Sequence, residues 1–449
     1  MFRKISLLLL ICIAALPALP QSRPDSTELP YKEKRKKGWS VNPLPVLGYD
    51  SDLGLQIGAL CQVFNYGNGD NFPEYKHMIY GEFSWFTKGT SIYQIAYDSK
   101  FLIPGVRFSG IFDYTTERAV DFYGFNGYEA NYIPSVTKEG SDDYISRMFY
   151  RLERRKIRFV ADFQAPIAKT KLRWLAGLNI LWIKTSTVDV ARLNKGKSEE
   201  KQLPDTALLY DQYVKYQFIR PDEKDGGTTI YLKLGLVWDS RDRESSPRKG
   251  IWSEIMLLSA PTFLGNSPYA FARLVVTHRQ YVTLVKEYLV FAYRLSYQGT
   301  IMGTTPFYMM SYMNSSFSFT SKPDGLGGAK TLRGIMRNRI IGDGMAFGNV
   351  ELRYKFINFR AFKQNMSFTL TGFLDGGMVV QDHKIYTNTL PEDQYSFYFN
   401  DASDHLHLST GLGLRLSINQ NFIIACDYGL ALNRQDGTSG LYIGLGHIF

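Results

Sequence analysis

From Val41 onward the chain alternates. In the run HLHLSTGLGLRLSI the odd positions are His405, His407, Ser409, Gly411, Gly413, Arg415 and Ser417, and the even ones are Leu406, Leu408, Thr410, Leu412, Leu414, Leu416 and Ile418. A period of two places the first set on one face of a strand and the greasy set on the other. The run TIYLKLGLVWDSR divides the same way, with Tyr231, Lys233, Asp239 and Arg241 polar and Ile230, Leu232, Leu234, Leu236 and Trp238 apolar. Read through to the end, the pattern predicts about sixteen strands, near residues 43–50, 53–66, 75–88, 90–103, 105–119, 146–165, 169–188, 228–241, 249–261, 268–283, 286–301, 346–359, 366–381, 404–418, 421–433 and 439–448.

The connections test that count. Long ones, at about 120–145, 189–227, 302–345 and 382–403, all follow odd-numbered strands, and short turns such as Ile418–Asn421 separate them. An up-and-down barrel with both termini on the periplasmic side then carries every long loop on the exterior. The expected fold is therefore all-β, a transmembrane antiparallel β-barrel of about 16 strands formed by residues 41–449. A soluble sandwich would also alternate, so composition has to choose between the two.

Among 449 residues there are 30 Tyr, 30 Phe and 39 Gly, and aromatics make up 15% of the chain, an excess that suits strands facing lipid between aromatic girdles. The mean hydropathy of -0.19 does not oppose this, because alternation averages the apolar face away. At the start, Arg3 and Lys4 precede an apolar run from Ile5 to Leu16 and a small-residue, proline-bearing stretch ending near Gln21; this reads as a secretory signal peptide over residues 1–21. The run is too short to span a bilayer as a helix. Cys12 lies within it, behind Ile11 rather than the small residue a lipid anchor would want. Cys61 and Cys426 fall in separate predicted strands and are expected to stay unpaired.

The formal net charge is +10, with basic residues dispersed instead of gathered on a helix or in a nucleic-acid motif, so no nucleic-acid partner is expected. One dense run, Lys32, Lys34, Arg35, Lys36 and Lys37, falls in the basic periplasmic linker at residues 22–40 and reads as a solvated linker, with a contact to anionic headgroups of outer-membrane lipid as the alternative. Catalysis and metal binding find little support among the six histidines. His405 and His407 have the spacing of a strand pair and Ser409 shares their face, but no third partner stands at a recognisable spacing, so no catalytic residue, metal or cofactor is expected.

Three ordered motifs carry more. WDSRDRESSPRKG holds Asp239, Arg241 and Asp242, then Pro247 and Gly250; TLRG, with Gly327 and Gly328 before it, holds Arg333 and Gly334 ahead of NVELRY; GFLDGG places Phe373, Asp375 and Gly377 on one face. A strand with paired glycines, Gly411 and Gly413, follows, and LYIGLGHIF ends on Phe449 with Leu441, Ile443 and Leu445 on the same predicted lipid face. From about Tyr231 onward this set resembles the BamA/TamA-like superfamily of outer-membrane assembly factors, the bacterial surface-antigen barrels. The resemblance implies a sixteen-stranded barrel whose sixth external loop, here about 302–345, folds into the lumen. It implies that Arg333 bonds Glu351 and Asp375 on the wall, and that Phe449 serves as the C-terminal signal for insertion. Alternation independently assigns Glu351, with Asn349 and Arg353, and Asp375, with Thr371 and Phe373, to the polar faces of their strands.

Glycines at 440, 444 and 446 in the last strand, and Pro43 and Pro45 in the first, predict a weak seam where the barrel closes. In the family such a seam passes nascent strands to lipid. The family also carries periplasmic POTRA domains ahead of the barrel, for which the roughly twenty residues after the signal segment leave no room. The expected function is that of a POTRA-less barrel assisting insertion or translocation of outer-membrane components, with nascent barrel proteins and a periplasmic or lipoprotein companion as the partners implied. A passive diffusion channel or structural barrel is the competing expectation.

Overall fold

The computed structural model describes residues 36–449 apart from 71–73, 245, 267, 317–323, 362–363 and 419–421. The signal segment and Lys32, Lys34 and Arg35 lie outside the described residues.

Sixteen antiparallel strands close into one barrel in which each neighbours its successor and the last meets the first. They are β1 (Trp39–Asp50), β2 (Gly54–Asn65), β3 (His77–Phe86), β4 (Thr90–Ile103), β5 (Val106–Asp121), β6 (Arg151–Pro166), β7 (Leu172–Ser186), β8 (Gly226–Asp239), β9 (Gly250–Ala260), β10 (Phe271–Val285), β11 (Leu289–Gly303), β12 (Gly344–Ala361), β13 (Gln364–Gln381), β14 (His407–Ile418), β15 (Phe422–Ala431) and β16 (Ser439–Leu445). Two boundaries differ usefully from the expectation. The first strand begins at Trp39, inside the expected linker, and β6 begins at Arg151 because residues 146–150 form a turn.

Alternation sorts the side chains as the period requires. On β8, Tyr231 and Lys233 are buried while Leu232, Leu234, Leu236 and Trp238 are exposed. On β14, His407, Ser409 and Arg415 are buried while Leu412 and Leu414 are exposed. Exposed leucines and tryptophans thus cover the outside, where only lipid makes them stable, and charged groups fill the lumen. Trp85 and Trp182 stand near the loop-side ends of β3 and β7, and Trp238 near the opposite end of β8, as an aromatic belt on each side requires. Cys61 and Cys426 are both free thiols.

At the loop end the connections build a dome with its own apolar core. Phe122, Phe125 and Phe149 from the loop after β5, Tyr213 and Phe218 from that after β7, and Phe399 from that after β13 pack together beneath Met309 and Met310 of the loop after β11. Edge-to-face rings such as Phe122 on Tyr213, at 5.3 Å, give this core specific geometry.

Candidate functional site

The loop between β11 and β12, residues 304–343, enters the lumen and is pinned there by arginines. Arg333 is fully buried. Its Nε and Nη2 donate to the two carboxylate oxygens of Asp375, each at 2.9 Å, and its Nη1 donates to Glu351 at 2.7 Å. Its backbone N–H also donates to Asp375 at 3.0 Å, and the guanidinium lies 3.6 Å from the centre of the Phe373 ring. Burial alone would weaken the charge on Arg333; Asp375 and Glu351 more than offset that and hold it protonated. This fork matches a carboxylate in two bonds, which a lysine could not do.

The glycines explain how a backbone gets so close. Gly327, Gly328 and Gly334 sit at φ 114, 77 and 93, the left-handed region that a side chain disfavours. Opposite Gly334 lies Gly429 of β15, where a Cβ would stand 2.6 Å from the Arg333 carbonyl carbon. A Cβ on Gly377 would press on Leu326 and Phe347, and one on Gly411 or Gly413 would strike the Phe373 ring or the Asp427 carboxylate.

Several members of this site escaped the sequence reading. Asp427 of β15 binds Arg415 at 2.8 Å and approaches Arg333 at 3.6 Å; Tyr442 of β16 accepts the Gly334 N–H at 3.2 Å; Gly429 provides the clearance. Two further loop arginines act beside Arg333. Arg337 donates to Glu117 of β5 at 2.6 Å and to Asp324 at 2.7 Å, and Arg154 of β6 completes the four-membered network through both carboxylates. Arg339 donates to the carbonyls of Gly127, Ala130 and Gln435, tying the loop to its neighbours in the dome. The only signal for them was the spacing of Arg333, Arg337 and Arg339 within one short run.

The turn motif stands elsewhere, at the short-turn end. Arg241 forks onto Asp239 at 2.9 and 3.0 Å and stacks 3.8 Å above Trp252, while the Asp242 carboxylate accepts the N–H groups of Arg248 and Lys249. Gly250, at φ 106, and buried Pro247 close this turn, whose Glu244 reaches Arg107 of β5 at 3.6 Å. The two nitrogens of His407 face Asp436 at 2.6 Å and Asp404 at 2.9 Å, and Tyr128 stacks on its ring. His405 precedes β14 and stacks on the same tyrosine.

One expectation is overturned. Phe449 does not continue the lipid face of β16. The strand ends at Leu445, Gly446 turns at φ 81, and the tail crosses into the lumen. There the Phe449 ring lies 5.2 Å from the guanidinium of Arg294 and 5.2 Å from that of Arg353, and its main-chain oxygen accepts from Arg353 at 3.1 Å. The aromatic face packs on two guanidiniums that also hold polar partners, Glu351 for Arg353 and Asn349 for Arg294.

The seam is correspondingly thin. β1 pairs with β2 from Trp39 to Asp50, but with β16 only at Tyr49–Ile443 and Asp50–Tyr442. Where the tail departs, Pro43 and Pro45 offer no N–H that could recruit a partner.

A closed sixteen-stranded barrel, greasy outside and charged inside, with a long loop clamped in its lumen, defines the molecule as a transmembrane β-barrel. The Omp85 superfamily domain matches residues 85–449, and the chain belongs to that superfamily. The match begins well before Tyr231, the point from which local motifs alone suggested it. The fold resembles that of BamA from Haemophilus ducreyi lacking POTRA domains 1-3, at 15% identity and a TM-score of 0.52 over 92% of this chain and 71% of that one. It also resembles CdiB from Escherichia coli, at 10% identity and a TM-score of 0.52 over 92% of this chain and 63% of that one. No curated protein matches the chain. Membership places it among outer-membrane assembly and translocation barrels, which insert or transport and are not enzymes.

Proposed function

We propose that this barrel assists the insertion or translocation of outer-membrane components through the seam between β1 and β16, with nascent barrel proteins as its cargo. The observation that carries the reading is the contrast within one wall: fifteen strand junctions are paired at length, and the sixteenth at two positions. The arginine-clamped loop supports it by bracing the wall from β12 to β15, beside the seam, while the seam gives way. The signal segment supports export to a Gram-negative outer membrane with cleavage near Gln21, and the basic run ahead of Trp39 supports a contact with anionic lipid on the periplasmic face. A periplasmic or lipoprotein companion would deliver cargo to the short-turn end, and co-purification from the native membrane tests for it: a barrel recovered alone would count against a delivered cargo.

The seam itself is tested by cysteines at Tyr49 and Ile443, introduced after Cys61 and Cys426 are replaced by Ala. Oxidation should deplete other barrel proteins from the outer membrane and reduction should restore them. Unaltered levels with the seam fully crosslinked would refute the reading. A passive channel is the second reading, favoured by the luminal cavity of about 460 Å³. It predicts steady currents in a planar bilayer that rise when Arg333 is removed, whereas the apolar dome over the loop end favours a closed basal state.

A further inference from the structure

Arg279 of β10 and Arg294 of β11 are directly opposite one another across the strand pair, both inward and both buried. Like charges in that relation repel, and a buried guanidinium is tolerated where a carboxylate answers it. Elsewhere in this lumen Arg333 has Asp375, Arg154 has Glu117 and Arg415 has Asp427, whereas Arg273 is answered, among the described residues, only by the main-chain carbonyls of Met309 and Asp343. Arg294 bonds only neutral oxygens, those of Asn349, Lys330 and Ile448, and makes no ion pair among the described residues. Arg279 comes no nearer to a carboxylate than 3.7 Å, at Glu254, and its Nε has no hydrogen-bond partner. Glu254 is itself occupied by Ser315 and Ser316.

Both arginines line the cavity of about 460 Å³, together with the hydroxyls of Thr277 and Ser296. The side-chain carboxylates that reach its wall are committed elsewhere, Glu244 toward Arg107 and Asp324 to Arg154 and Arg337, and the main-chain oxygen of Phe449 is held by Arg353. Leu44, Leu60 and Phe422 give its far side an apolar surface near the seam, among which Gln62, Tyr80 and His447 also stand.

We infer that the cavity is a binding site for a phosphate-bearing amphiphile, whose phosphate bridges Arg279 and Arg294 and whose apolar part lies against the inner face of the seam. Two forked donors side by side, with two hydroxyls in the next cross-strand row, suit a tetrahedral oxyanion. The volume exceeds what a free phosphate ion fills. The site stands whether or not the seam opens for protein cargo.

The test uses the full chain in dodecyl maltoside, titrated with dodecyl phosphate and, separately, with inorganic phosphate. The Trp252 ring, 4.8 Å from the Arg279 guanidinium, reports locally, and subtracting Trp252→Phe isolates its fluorescence. Dodecyl phosphate should give a saturable change that weakens about tenfold or more in Arg279→Gln and in Arg294→Gln. Competition by millimolar inorganic phosphate would identify the phosphate group itself as the main determinant, and saturable binding of dodecyl phosphate that inorganic phosphate does not displace would assign the site to a phosphorylated lipid; either supports it. Without ligand, Arg279→Gln should resist heat at least as well as the parent, since it removes a repulsion. No saturable change with either probe, or equal affinity in a folded Arg279→Gln barrel, would overturn the inference.

Discussion

The two sides of this barrel solve opposite problems. On the wall from β12 to β15, every buried charge meets a partner: Arg333 takes Asp375 and Glu351, Arg353 takes Glu351, and Arg415 takes Asp427. At the seam, the β16 side of β1 is unpaired for most of its length, because β16 stops at Leu445 and its tail turns inward. A charge network of this kind is costly to break once formed, while a two-position pairing costs little to open. The difference teaches that a membrane barrel need not be uniformly closed, provided that the loop braces the wall that must hold.

The largest effect should come from Arg333→Ala. It strands the buried Asp375 carboxylate and removes one of the two arginines on Glu351, at a cost of about 3–5 kcal/mol. The folded band on unheated gels should convert at a lower temperature, and the loop at 304–343 should become open to protease. Unchanged behaviour in both would mean that the wall is not braced by this residue. Gly429→Ala comes next. Its Cβ would enter the space of the Arg333 carbonyl, and overpacking of this kind costs about 1–3 kcal/mol, read by the same gel assay.

Tyr442→Phe sharpens the comparison because Tyr442 belongs to the seam strand yet bonds the loop at Gly334. Loss of that acceptor should cost about 1–2 kcal/mol and leave loop proteolysis nearly unchanged while Arg333 remains. Protection of the loop lost as completely as in Arg333→Ala would show that the two regions are one unit.

The smallest effect concerns the dome. Burial works against ionisation of Asp404, in the loop after β13, but its hydrogen bond with His407 prevails and holds the carboxyl below the usual 3.8. A depressed value in the folded state stabilises above the unfolded value and is lost as pH falls through the folded one. Proteolysis of the dome loops should therefore rise as the solution is made acidic and Asp404 takes up its proton. Asp404→Asn should remove that acid dependence.

Much of this architecture can be read from the chain because a barrel strand needs only a period of two, and that period survives in single runs such as TIYLKLGLVWDSR. The inward face of β12 and β13, with Glu351 and Asp375, is legible for the same reason. Asp427, Gly429 and Tyr442 are not, since what brings them to Arg333 is closure of the sheet across strands distant in sequence. The dome is equally hidden: Phe122, Tyr213 and Phe399 come from three aperiodic loops, and nothing local says that their rings will meet. Phe449 misled because LYIGLGHIF keeps its alternation through Gly446, whereas the backbone, freed by that glycine, turns inward to the arginines.

Hydrogen exchange resolved by peptide tests the contrast most directly. Amides of β1 from Val41 to Gly48 that do not pair with β2, and those of β16 facing β1, should exchange with little protection, while β12 to β14 should exchange only on unfolding of the whole barrel. Equal protection at the seam and at the braced wall would contradict the account.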